Sequence, residues 1–195
     1  SDGGLIPILG SSKYVEQAIS TESVTSLFRH YSSSGTEINK TLLATIGNRV
    51  VSSTGGFNPL WTTLSSGIVK GDRWNWLTFN NTAIGVSPRN RIKKYDLNSQ
   101  VLSDFITLDA STVPIELKAK YSLMAKNYFV VGNVVVSTYA APLAKETTHY
   151  ASRIYYSLVF PNIASMTASR YIDYRSDDGS QITGLGNLFD RTNIF

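Results

Sequence analysis

The chain has 195 residues, no cysteine and a formal net charge of +4. A chain of this length buries about 70% of its unfolded surface without covalent staples, and the lack of Cys excludes disulfides, thiolate catalysis and Cys-ligated zinc. No run of eighteen apolar residues exists, which excludes a membrane-spanning helix. The opening Ser1-Asp2-Gly3-Gly4-Leu5 has no basic stretch and is not expected to be a signal peptide; without an initiator Met it reads as the start of a processed or trimmed product.

Residues 1–38 read as an arm. Gly3, Gly4, Pro7 and Gly10 keep its first ten residues irregular. Val24, Leu27, Phe28 and Tyr31 then fall at i, i+3, i+4 and i+7, a spacing that predicts a short amphipathic helix capped by Ser20 or Thr21, with the apolar stripe available for docking. His30 is expected on the surface of that helix. Ser32-Ser33-Ser34-Gly35 ends it.

Residues 39–175 read as a β-sandwich. Strands are expected at about 41–52, 74–80, 83–87, 100–108, 113–124, 127–139, 149–160 and 165–174. The clearest is the ladder in which Val113, Ile115, Leu117, Ala119, Tyr121 and Leu123 alternate with Pro114, Glu116, Lys118, Lys120 and Ser122, because only an extended strand sends successive side chains to opposite faces. Pro114 marks the start of that strand or an edge. A short helical turn is expected near Phe57-Asn58-Pro59-Leu60-Trp61. Such a series fits a jelly roll as well as a generic Greek key. Residues 176–195, with Asp177-Asp178-Gly179 and Gly184-Leu185-Gly186, read as an irregular extension that leaves the sandwich.

Candidate chemistry is sparse. The positive excess lies in residues 70–126, with nine basic against five acidic side chains, and Arg89, Arg91, Lys93 and Lys94 put four cations into six residues. That loop is a candidate contact for RNA phosphates or for acidic groups on a neighbouring subunit. His30 and His149 have no partner at metal-ligand spacing, the carboxylates form no evident pair, and Gly-x-Ser-x-Gly is absent, so neither an enzyme nor a metal or other cofactor is expected. Trp74 and Trp76 share one strand face and sit near Trp61; exposed they would stack on sugars, buried they would fill a core. The sequons at Asn39 and Asn80 matter only in a secreted protein. Charged residues are only 16% of the chain, and Ser with Thr about a fifth, a balance found where subunits bury much of their surface and also in ordinary structural β-domains.

Four stretches give the chain a family likeness. Thr21-Glu22-Ser23-Val24-Thr25-Ser26-Leu27-Phe28-Arg29 resembles the arm that precedes the sandwich in jelly-roll coat proteins of picorna-like viruses, most closely the plant comovirus and cheravirus group. Phe57-Asn58-Pro59-Leu60 with Gly67-Ile68-Val69-Lys70-Gly71-Asp72, leading into the strand at Trp74, resembles their helical turn and next strand. Thr147-Thr148-His149-Tyr150 resembles the opening of the penultimate strand, and Arg170-Tyr171-Ile172-Asp173-Tyr174-Arg175 the last one. The resemblance implies an eight-stranded jelly roll and a non-catalytic subunit of an icosahedral shell. Its implied partners are other coat subunits, genomic RNA and a host receptor, and its implied places are the virion and, during assembly, the host cytoplasm. The alternatives are a viral receptor-binding or fibre-head domain, faintly suggested by Leu60-Trp61-Thr62-Thr63 and Thr82-Ala83-Ile84-Gly85, and a carbohydrate-binding module resting on the tryptophans.

Overall fold

The structure, a computed structural model, describes residues 21–34, 36–54, 60–105, 107–109, 115–140, 144–167, 170–174, 179–188 and 191–194. Within them every regular element is a strand. The first sheet, A, runs β1 (Val24–Ser34), β2 (Glu37–Ile46), β3 (Arg49–Ser53) and β4 (Thr62–Ser66) in sequence order, all antiparallel. The strand expected at 41–52 is split by Gly47, whose φ of 57° makes the tight turn between β2 and β3.

The predicted helix at residues 24–31 is instead β1, paired with β2 from Val24 to Ser34. Two features explain the difference. The segment is rich in Ser and Thr, which favour helix ends over helix interiors. The ladder also offers period-two burial that a helix cannot match: Phe28 faces inward, with buried His30 and Ser32 beyond it, while Leu27 and Tyr31 lie exposed. Val24, Leu27, Phe28 and Tyr31 therefore do not share a stripe. His30, expected on a surface, is wholly buried.

The second sheet, B, is β5 (Asn75–Phe79), β6 (Thr82–Val86), β7 (Lys93–Asp96) and β8 (Val101–Asp104), again in sequence order. Asn80 and Asn81 join β5 to β6 with φ of 44° and 61°, the mirror-image turn that suits the twist of a two-residue hairpin. The third sheet, C, holds β9 (Thr107–Asp109), β10 (Ile115–Ala125), β11 (Tyr128–Ala140), β12 (Ala144–Tyr156), β13 (Ser165–Thr167) and β14 (Tyr171–Asp173) in the order β13-β9-β10-β11-β12-β14. A hairpin, β15 (Leu185–Leu188) and β16 (Arg191–Ile194), follows. A jelly roll interleaves strands distant in sequence; apart from the short parallel β9–β13 pair and the β12–β14 pair, the described ladders join sequence neighbours.

Sheet B lies between the other two. Ala83 of β6 packs with Leu43 and Val50 of sheet A and with Trp76 and Tyr95, whereas Ile84 and Val86 pack with Leu117, Ala119, Phe129 and Val131 of sheet C. On its other face sheet C is covered by the C-terminal segment: Ile182, Leu185 and Ile194 pack on Val130, Ile154 and Tyr128. Ile182 and the paired strands β15 and β16 thus fold back on sheet C rather than leaving the sandwich, because sheet C is apolar on both faces. The helical turn expected at 57–61 falls largely outside the described residues, as do Val113 and Pro114 of the ladder and Asp177-Asp178 of the tail.

The ladder itself changes phase. Leu117 and Ala119 face sheet B as expected, but beyond Lys120 the inward partner is Met124, while Tyr121 packs toward the C-terminal hairpin. β11 shows the same switch, with Val134 and Val136 inward on one side of Asn133 and Phe129 and Val131 inward on the other. Asn133 has a φ of 55°, and the β11–β12 register shifts between Gly132 and Val134. A bulge of this kind swaps faces along a strand. The Asn133 amide secures it by donating to the Ile182 carbonyl at 3.0 Å and accepting from His149 Nε2 at 2.7 Å.

Gly85 shows how tightly sheets A and B are fitted. A Cβ there would lie 2.5 Å from Cζ3 of the buried Trp76 ring. Gly85→Ala is expected to lower stability by about 1–3 kcal/mol through overpacking, read from the urea denaturation midpoint; an unchanged midpoint would mean that the indole moves freely.

Candidate functional site

The basic segment 89–94 begins at a buried polar node. Asp72, in the loop before β5, is 3% exposed. Its carboxylate accepts from the Ser87 hydroxyl, from Asn90 Nδ2 at 2.8 Å and from Arg89 Nε at 3.3 Å. Ser87 Oγ in turn accepts the backbone N–H of Asn90 at 3.1 Å, and Asn90 Oδ1 accepts that of Val69 at 3.0 Å. Thr25 of β1 donates to the Asp72 carbonyl at 2.9 Å. The node therefore fastens two loops of sheet B to the edge of sheet A, and the buried carboxylate is matched by donors.

Three of the four cations proposed from the sequence are answered by carboxylates of the same chain. Arg89 meets Asp72, Arg91 meets both Asp104 and Glu116 at 3.3 Å, and Lys93 meets Asp104 at 2.7 Å. Burial raises the Asp104 pKa, but hydrogen bonds from Lys93 and Arg91 outweigh it and hold the carboxyl below its usual range. Glu116 also takes Lys145 at 3.0 Å and Lys118 at 3.5 Å. Lys94 is half-buried in β7. This is a mixed-charge seam between sheets B and C rather than an open cationic loop.

A different feature joins the second group of sequence candidates. Leu27 and Phe28 of β1 line a cleft of about 510 Å³ together with Trp74 and Trp76. Its remaining walls are Arg73, Asn75, Pro88 and, from β10, Lys120 and Tyr121. The aromatic rings form a column: Trp74 stacks on Trp76 at 5.3 Å and 18°, and Trp76 on Phe28 at 6.4 Å and 19°. With Trp74 and Trp76 only 3% and 8% exposed, they are wall and core, not the open sugar platform considered from sequence. The indole N–H groups of both lack an acceptor among the described residues. Lys120 Nζ stands 5.3 Å from the centre of the Tyr121 ring. Among the described residues no Asp or Glu lines the cleft. Val24 and Tyr31 lie outside it on the exposed side of β1.

His30 closes the seam between β1 and the β5–β6 hairpin. Its Nε2 lies 3.0 Å from the Asn81 carbonyl and so carries the proton; Nδ1, 2.9 Å from Thr78 Oγ1, then accepts from that hydroxyl. Burial lowers the imidazole pKa from 6.5, and the Asn81 carbonyl opposes this only in part. The Asn81 side chain accepts the Ser33 N–H at 2.9 Å and donates to the Ser33 carbonyl at 2.8 Å. In the sequence Asn80-Asn81 stood out only as part of a sequon; nothing paired Asn81 with Ser33 or His30, because the contact spans about fifty residues. Arg153 was missed for the same reason: its guanidinium lies 3.8 Å and 3.7 Å from the ring centres of Tyr150 and Tyr171 and pairs bidentately with Asp173.

Among the described residues no group of three or more His, Asp or Glu side chains is placed to hold a metal ion, and no helix is long and apolar enough to cross a membrane. No protein-family model matches the chain, and no curated protein is significantly similar to it.

Asp72→Asn is expected to cost about 2–3 kcal/mol, since it weakens charged hydrogen bonds at a desolvated site, and is checked by denaturant unfolding against wild type. For His30 the sign follows from its lowered pKa. Below pH 6.5 the unfolded chain takes up a proton that the folded chain refuses, so stability falls as pH drops through 6.5 and levels off once the folded pKa is passed. The stability gap between wild type and His30→Gln should narrow between neutral and mildly acidic pH; a constant gap would show that His30 does not titrate differently in the fold.

Proposed function

We propose that the chain is a structural coat subunit of a non-enveloped, icosahedral picorna-like RNA virus, present in the virion and assembled in the host cytoplasm. It packs non-covalently against other coat subunits to enclose the genome and carries out no catalysis. One observation carries the reading: a row of exposed apolar side chains on an edge strand and its neighbour. Leu27 and Tyr31 of β1 are 63% and 47% exposed, and Ile38 of β2 is 68% exposed. In the β1–β2 register Ile38 stands opposite Ser33, two residues from Tyr31 and on the same outward face. Apolar side chains gathered on an edge strand are a liability in an isolated domain and an asset at an interface. Obligate interfaces of this kind bury on the order of 2,000 Å² or more.

The low charge content and the abundance of hydroxyls support the same reading. The interleaved order of an eight-stranded jelly roll is what the family resemblance implies; the exposed apolar row on β1 and β2 is independent of strand order.

Negative-stain electron microscopy of the chain, expressed alone and with its sister coat proteins, tests it. Closed particles are expected. The pair Tyr31→Asp and Ile38→Asp should abolish them while leaving the denaturation midpoint within about 0.5 kcal/mol, as for other exposed sites. A monomer that forms no particle under either condition would overturn the reading.

A further inference from the structure

The cleft between β1, β5 and β10 has an unusual balance. Two cations, Arg73 and Lys120, sit on its lining with no ion pair among the described residues, and no Asp or Glu lines it. Five cations nearby are matched: Arg89, Arg91, Lys93, Lys118 and Lys145 each meet a carboxylate. The cleft's volume of about 510 Å³ falls within the range of small-molecule sites. Its described walls therefore offer positive charge beside flat apolar surface and carry no negative group.

We propose that this cleft binds a nucleotide unit, with the planar base against Phe28, Tyr121 and the rims of the two indoles and the phosphate held between Arg73 and Lys120. Each part has its reason. A π-face accepts any base with little regard to sequence, and cations near a phosphate add affinity that falls with salt. A sugar ring without charge would leave both cations unanswered, and a bare anion would leave the aromatic wall unused. The nucleotide comes either free or as part of single-stranded RNA. The RNA form rests on the coat-subunit reading; the binding site itself does not.

Tryptophan fluorescence titrations of the isolated chain distinguish the outcomes. The probes are adenosine 5′-monophosphate, adenosine, inorganic phosphate and a single-stranded oligoadenylate. Quenching by the monophosphate, stronger than by adenosine or phosphate, is expected. Arg73→Gln with Lys120→Gln, both exposed positions, should weaken it about tenfold. For the oligonucleotide the same pair should make the slope of log K against log salt shallower by about 1.4. A control with Arg91→Gln should leave both unchanged. Tighter binding of the oligonucleotide per site assigns the cleft to RNA, and equal binding assigns it to a free nucleotide. No binding, equal binding of phosphate alone, or indifference to the double variant overturns the proposal. Because the titration uses single subunits and the coat reading is judged on particles, either can fail without the other.

Discussion

The centre of sheet B, strand β6, is covered on both faces. The sheet's four strands are only four or five residues long, yet successive residues of β6 serve two separate cores: Ala83 and Gly85 toward sheet A, Ile84 and Val86 toward sheet C. A sheet buried on both faces must be apolar on both, and it must be thin where a bulky group crosses it. Trp76 meets both demands, since its ring lies where the Gly85 side chain would be. Sheets A and C pack on the two faces of sheet B, and the C-terminal hairpin packs on the outer face of sheet C around Val130 and Ile154.

The seams between layers are polar, and they set the register. Asp72 with Ser87 and Asn90, His30 with Thr78 and Asn81, and Asn133 with His149 and Ile182 each satisfy buried donors and acceptors across elements far apart in sequence. Sliding one sheet past the next by a residue would leave several of these groups unpaired in a desolvated place, at a cost of about 1–3 kcal/mol each. The apolar clusters alone would tolerate such a slip far better. Hydrophobic burial thus brings the layers together, and one aspartate, two histidines and a few asparagines and hydroxyls decide how they align.

What the sequence made legible follows the range of its signals. Strands with local alternation, such as β10 and β11, were evident, because each is decided by neighbours. β1 was misread, since Val24, Leu27, Phe28 and Tyr31 match a helical spacing by coincidence and the ladder that overrules it is supplied by β2. The phase change at Lys120 and Asn133 was invisible for a subtler reason: Tyr121 is large and apolar, so a strand that turns it outward looks the same on paper as one that does not. Among candidate sites, the cluster 89–94 was conspicuous as a charge run, but its partners Asp72, Asp104 and Glu116 are scattered. The cleft was legible only in pieces, as two tryptophans here and Leu27 with Phe28 there.

Asn81 carries one more consequence. Its amide faces the N–H and carbonyl of Ser33 as a strand residue would, and so occupies the hydrogen-bonding positions that the free margin of β1 would otherwise present there. A second strand laid against that margin can zip along it only as far as Tyr31 before it meets a place already taken. The turn of one sheet therefore acts as a stop for another. It sets a length and a register for any added strand, and it denies open-ended stacking the continuous margin on which fibrils grow.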